Sequence, residues 1–265
     1  TAEPNTAAAR AKRRGASLTA GKGMNLYRFD LRYKSPERVP GMILWTGGRA
    51  TARCVPGEYV AQLTAGDLAA ETTFEVRPDP RSSATTADLV AQRDFLLELR
   101  EELDATHRCI RNVRSLREDL SGLSSRIAKD QKSEELRTRI KTVQGQLDEI
   151  EQALYQTKNQ SRQDPLNFPI RLNDKLSGVM SAAATGDFAP TDAMIAVREE
   201  LTAAIRKWIE RYEKVLATDI PAIERMAREG AVPALRPPKS DPDGEGDATT
   251  DPPQPKRAGA VPPKK

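Results

Sequence analysis

The hydrophobic period of this chain changes once, and the change sits at a pair of prolines. Upstream of Pro78 and Pro80, apolar residues recur every second position; downstream they recur at steps of three and four. The first period puts one side of a strand against a core, the second one stripe of a helix. Neither proline can donate to a β ladder, so the sheet stops there. The expected fold class is therefore α+β, with a small antiparallel β segment followed by an antiparallel four-helix bundle.

Before the prolines, Tyr27, Phe29, Leu31 and Tyr33 alternate with Arg28, Asp30 and Arg32, which predicts a half-buried strand over 25–33. Pro40-Gly41 predicts a turn, and Met42 to Trp45 a short buried run closed by Gly47-Gly48. Tyr59, Ala61 and Leu63 share one face of a second strand. Ala65-Gly66-Asp67 reverses the chain, and Thr72, Phe74 and Val76 return it as a β-hairpin.

After the prolines, Thr85 or Thr86 can cap a helix running to about Lys129, with Leu89, Gln92, Leu96, Leu99, Leu103, Thr106, Ile110, Val113 and Leu120 near one seam. Leu136, Ile140, Val143, Leu147, Ile150 and Leu154 step by four and three, a coiled-coil seam, after a polar break at Asp130 to Ser133. A loop follows over 155–168, then a third helix from Pro169 to Ala184 with Leu172, Leu176 and Val179 inward. Thr191 caps a fourth, whose stripe is Met194, Val197, Leu201, Ile205, Trp208, Tyr212 and Val215, continuing past Pro221 to about Arg228 after a kink.

The ends differ from the middle. Residues 1–23 read as a flexible linker, and 231–265, rich in Pro, Asp and Lys, read as a disordered tail with too little apolar surface to offset its ordering entropy. The domain layout expected is thus 1–23, a β segment over 24–80, helices over 84–230, and the tail.

Chemistry is sparse. The 42 basic residues face 38 acidic ones and interleave with them along the helices, whereas nucleic-acid binders gather Lys and Arg on one face. The one dense basic cluster is Arg10, Lys12, Arg13 and Arg14, in the linker. Two cysteines, Cys54 and Cys109, and a single histidine, His107, do not make an ordinary zinc site. The thiols read as free, and no cofactor or metal is expected. The acidic pairs Glu101-Glu102, Glu134-Glu135 and Glu199-Glu200 read as solvated helix faces, not as the two carboxylates of a glycosidase. Nucleophile-elbow, P-loop and dinucleotide fingerprints are missing, so no catalytic residue is assigned. No apolar run approaches the ~20 residues of a membrane span. The densest polar group is Tyr155, Asn159, Asp164, Asn167 and Asn173, which either ties the loop to helix ends or lines an interaction surface.

Several stretches carry a resemblance. They are residues 23–33 (GMNLYRFDLRY), 40–45 (PGMILW), 55–59 (VPGEY), 74–81 (FEVRPDPR), 87–100 and 164–173 (DPLNFPIRLN). In that order they resemble the C-terminal region of bacterial sortilin-like, BNR/Asp-box propeller proteins, often labelled glycosyl hydrolases. The resemblance implies an Ig-like β segment, incomplete in this chain because strands expected before Met24 are missing, and a parent with an N-terminal propeller. No Asp-box occurs here, so any hydrolase activity would belong to the propeller. It further implies an exported, periplasmic or extracellular parent, with the propeller or another protein as partner. Three functions follow as alternatives: a non-catalytic accessory or interaction module, a glycoside hydrolase, and a nucleic-acid-binding helical protein.

Overall fold

The computed structural model describes residues 18, 21–46, 50–127 and 133–230. The basic cluster, Gly47-Gly48, the polar break before Ser133 and the C-terminal tail lie wholly or largely outside them. The described residues form an α+β chain. A two-stranded antiparallel sheet, β1 (Gly57–Ala65) and β2 (Leu68–Val76), precedes helices α1 (Thr86–Ile127), α2 (Glu134–Leu154), α3 (Leu172–Ala183), α4 (Asp192–Lys214) and α5 (Ile220–Glu229).

The hairpin is as the alternation predicts. β1 and β2 pair from Gly57 opposite Val76 to Ala65 opposite Leu68, and Gly66, at φ 60°, turns the chain with Asp67. A residue without a Cβ adopts that backbone without cost.

α1 starts with a reciprocal cap: the Thr85 hydroxyl accepts from Asp88 N–H, and the Asp88 carboxylate accepts from Thr85 N–H at 2.9 Å. Its seam is buried from Leu96 to Ile127, with Phe95, His107, Cys109, Leu116, Leu123 and Ile127 added to the expected positions, while Leu89 and Gln92 at its start are only half-buried. All six apolar residues expected on α2 are buried. The two helices are antiparallel, because Arg114 and Arg117 of α1 reach Glu151 of α2 while Ser121 meets Gln144.

The remaining contacts correct the expected four-helix cross-section. Asn173 of α3 lies against His107, and Ala183 receives a hydrogen bond from Gln92, so α3 continues down α1 where α2 leaves off. α4 then climbs alongside, Arg198 by Glu98, Arg206 by Glu102, and Arg211 by Glu149 of α2. At any level there are three rods: α1, the broken α2–α3 rod, and α4–α5. The long α1 seam sets this layout, since two shorter helices end to end are needed to cover it.

The last rod is irregular just ahead of Pro221. A π turn over Val215–Asp219 joins α4 to α5, with Ile220 N–H bonding Val215 C=O. Proline has no N–H and clashes with the carbonyl four residues back, and a wider turn relieves both. It also winds the five-residue step between buried Val215 and Ile220 onto one side.

Two expectations in the N-terminal half are revised. Residues 42–45 are only partly the expected buried run: Met42 is buried, Ile43 and Leu44 are half-buried and Trp45 is exposed. With 33–41 they form a strap across α1 and the α2–α3 junction, burying Val39 and Met42. Within it Pro40 and Gly41 (φ 71°) make the expected turn, closed by Met42 N–H to Val39 C=O at 3.0 Å. The strand expected over 25–33 pairs only near its end, through an isolated bridge between Arg32 and Arg53. α3 begins at Leu172, three residues later than expected, and buries Asn173, Asp174 and Ser177 along with Leu176, while Leu172 and Val179 are half-buried. The helix is rotated because its polar side holds the strap.

Candidate functional site

Polar groups gather where the strap crosses the rods. Asp174, in the first turn of α3, is almost wholly buried, and its carboxylate accepts from Trp45 N–H at 2.7 Å, Thr46 N–H at 2.9 Å and the Thr46 hydroxyl at 2.6 Å. Three donors and the positive end of the helix dipole compensate that charge. Ser181 Oγ–H donates to Thr46 C=O at 3.0 Å, and Gly178 lets the strap approach: a Cβ there would lie 3.0 Å from Thr46 Oγ1.

Deeper in, His107 Nδ1 donates to Glu37 C=O at 2.5 Å, and Asn173 Nδ2 lies 3.5 Å from its Nε2. Burial pushes the imidazole pKa down to about 4, so the ring is neutral near pH 7. Glu37 N–H donates to Asp104 at 2.7 Å, and the Glu37 carboxylate pairs with Arg111 at 2.8 Å. Burial raises the Asp104 pKa above the usual carboxylate range.

Of the five residues read as ties from the loop to helix ends or as an interaction surface, three are buried. Tyr155 is buried, accepts from Ile43 N–H at 3.1 Å and lies under the Arg114 guanidinium at 5.3 Å. Asn173 and Asn159 are buried as well, the latter with neither amide atom hydrogen-bonded. Asp164 closes the loop on itself, accepting from Gln160 and Ser161 N–H, which hold its carboxyl below the usual range. Asn167 is exposed. The sequence holds no sign of Asp174, Thr46 or His107 as partners, because the strap that joins them has no regular period and its bonds run between residues far apart in the chain.

The hairpin is the opposite case. One face carries Tyr59, Ala61, Leu63 and Ala65 opposite Phe74, Thr72, Ala70 and Leu68, without a charge; the other carries Glu58, Gln62, Glu71 and Glu75. Among the described residues, only its foot is covered. Tyr59 stacks on Phe74 at 5.7 Å and its hydroxyl donates to Val55 C=O at 2.8 Å. Beyond that the apolar face stands in solvent, Leu63 at 58% and Leu68 at 77% exposed, and in the segment before the strap Leu26 is 84% and Phe29 56% exposed.

At the hairpin foot lies a cleft of about 400 Å³ lined by Arg32, Arg53, Arg77, Arg93, Asp30 and Asp79 among others. Arg93 pairs with Asp94 at 2.8 Å, Arg77 with Glu75 at 2.8 Å and Arg53 with Asp187 at 3.9 Å. Cys54, on its wall, is not an activated thiol, because burial raises its pKa. Cys109 is likewise free and buried, its pKa pushed up to about 12.

Among the described residues no group of three His, Cys, Asp or Glu side chains could hold a metal ion, and no helix is long and apolar enough to cross a membrane. No family model, curated protein or solved structure matches the chain.

Proposed function

We propose that this chain is a non-catalytic interaction module in which a rigid helical rod presents an unfinished β surface to a partner. The observation that carries the reading is the uncharged face of the hairpin, which alternates like the inner side of a β-sandwich yet, beyond its foot, has no described residue packed on it. A face of this composition is suited to packing against a second β layer.

The strongly shifted groups support a structural rather than a catalytic reading. His107, Cys109 and Tyr212 are all enclosed in the helical core, away from the cleft. The acidic pairs lie along the helices, where Glu134, Glu135, Glu199 and Glu200 are exposed and Glu102 pairs with Arg206 at 3.5 Å.

In this reading the chain is the C-terminal part of an exported sortilin-like propeller protein. The hairpin belongs to an Ig-like domain, and its second layer comes from the parent's preceding strands or its propeller. Sequencing the gene upstream of Thr1 tests the parentage: an in-frame propeller with Asp-boxes is expected. The role is tested by mixing that upstream region with the full chain. Binding is expected, weakened at least tenfold by the double variant Leu63→Lys, Leu68→Lys, whose side chains are exposed in the chain alone. Release of an aryl aglycone by the purified chain would overturn the reading in favour of a glycoside hydrolase. DNA binding that collapses steeply with salt would do so in favour of a nucleic-acid binder.

A further inference from the structure

The free edge of β1 has an occupant within reach. β2 takes one edge of β1, and among the described residues no strand pairs with the other. Just upstream of β1 a short ladder already exists: Tyr33 N–H donates to Ala52 C=O at 2.9 Å and Cys54 N–H to Leu31 C=O at 2.7 Å, around the Arg32–Arg53 bridge. The chain from 52–54 runs on into β1. Residues 24–30 run back from 31 in the antiparallel sense, exposed and without a ladder partner; their side-chain hydrogen bonds are those of Asn25 with Gly21 and Gly23 and of Asp30 Oδ1, which accepts from Arg32 N–H at 3.1 Å.

We infer that residues 24–30 are a third strand that docks in cis along the free edge of β1, with a one-residue bulge at Asp30-Leu31, opposite Cys54, that sets the register. The inference goes beyond the proposed function, since it concerns how the β platform is completed and holds whatever covers the platform's face.

The register follows from the side-chain alternation. Continuing the Arg32–Arg53 pairing without interruption would set Tyr27 opposite Glu58 and place both Tyr27 and Phe29 on the acidic face. One extra residue moves every side chain to the other face. Leu31 has φ 59°, a left-handed backbone that a bulky side chain otherwise avoids, and Asp30 Oδ1 accepts from Arg32 N–H across it, so the chain departs from regular extension at the place where a bulge is needed. With that bulge Leu26 faces Glu58, and Tyr27 faces Gly57. Tyr27 and Phe29 then extend the Tyr59–Phe74 face, while Arg28 joins Glu58 and Glu75 on the polar one. Gly57 has no atom near its missing Cβ, so a cross-strand aromatic ring can lie over it.

The experiment uses the full 265-residue chain with Cys54→Ser, leaving the buried Cys109 in place. One variant adds Leu26→Cys with Glu58→Cys, directly opposed in the bulged register; a second adds Tyr27→Cys with Glu58→Cys, opposed only without the bulge. Under mild oxidation the first pair is expected to form an intramolecular disulfide several-fold faster than the second. Faster closure of the second pair overturns the bulge, and a disulfide-linked dimer overturns docking in cis. Closure of neither overturns the inference if amide exchange of the unmodified chain also shows 25–29 exchanging as freely as unstructured chain. Protection of those amides together with β1 supports it independently of the cysteine variants.

Discussion

Three residues decide how the strap is held. Asp174 gathers two backbone N–H groups and a hydroxyl in a buried place. Asp174→Ala orphans those donors and is expected to cost about 2–4 kcal/mol, read from urea unfolding. Gly178→Ala should also destabilise, although alanine is the better helix former by up to ~1 kcal/mol, because Thr46 is pinned by its hydrogen bonds and cannot retreat. A more stable Gly178→Ala variant would mean the strap is loose. His107 is expected to dominate the pH dependence. Its native pKa of about 4 lies below the ordinary value near 6.5, so the unfolded chain binds the extra proton. Stability should be flat above pH ~6.5 and fall on acidification toward pH ~4, at a slope of up to ~1.4 kcal/mol per unit. The raised Asp104 works in the opposite sense, adding stability as pH falls through its native pKa. His107→Gln should flatten the loss between pH 6.5 and 4, measured by unfolding at several pH values. An unchanged slope would show that the imidazole is not held neutral.

Among the elements, the α1–α2 pair is tied by a charge cluster. Glu151, nearly inaccessible, lies 2.6 Å from both Arg114 and Arg117, and Arg117 also meets Asp148 at 2.7 Å. Glu151→Ala leaves two guanidinium groups facing a cavity and is expected to cost about 3–5 kcal/mol, whereas Asp148→Ala, at the exposed rim, should cost about 0–1 kcal/mol. Thermal denaturation of the two variants side by side checks the contrast. These elements were legible beforehand where the apolar steps were regular: the six-residue seam of α2 and the hairpin alternation describe one buried face each. α3 was less legible. Its inward side carries Asn173, Asp174 and Ser177, and a hydrophobic period cannot register a face that is buried because it is hydrogen-bonded to another segment.

For the whole molecule, the size of the bare β face sets an expectation. Nine residues at ~3.4 Å by two strands give a face of about 300 Å², so two chains meeting hairpin to hairpin would bury about 600 Å², half of what a stable interface needs. The full chain should therefore self-associate weakly, appearing as a concentration-dependent mass in light scattering that the Leu63→Lys, Leu68→Lys variant abolishes. Residues 84–230, expected to fold alone, keep the α1 and α2 seams but lose the strap. Val39 and Met42 together are worth about 3–5 kcal/mol, so that piece should unfold cooperatively at lower urea than 31–230 does. Period alone determined the division into a sheet part and a helical part, the hairpin register and the α2 seam, because each is a local rule about which side of one element meets a core. Tertiary structure decided the rest. Helices α2 and α3 share one side of α1 because α1 is longer than either, and residues 33–46 bind across the rods because buried donors and acceptors on α1 and α3 match their backbone. Both outcomes depend on pairing between residues far apart in sequence, which no local pattern contains.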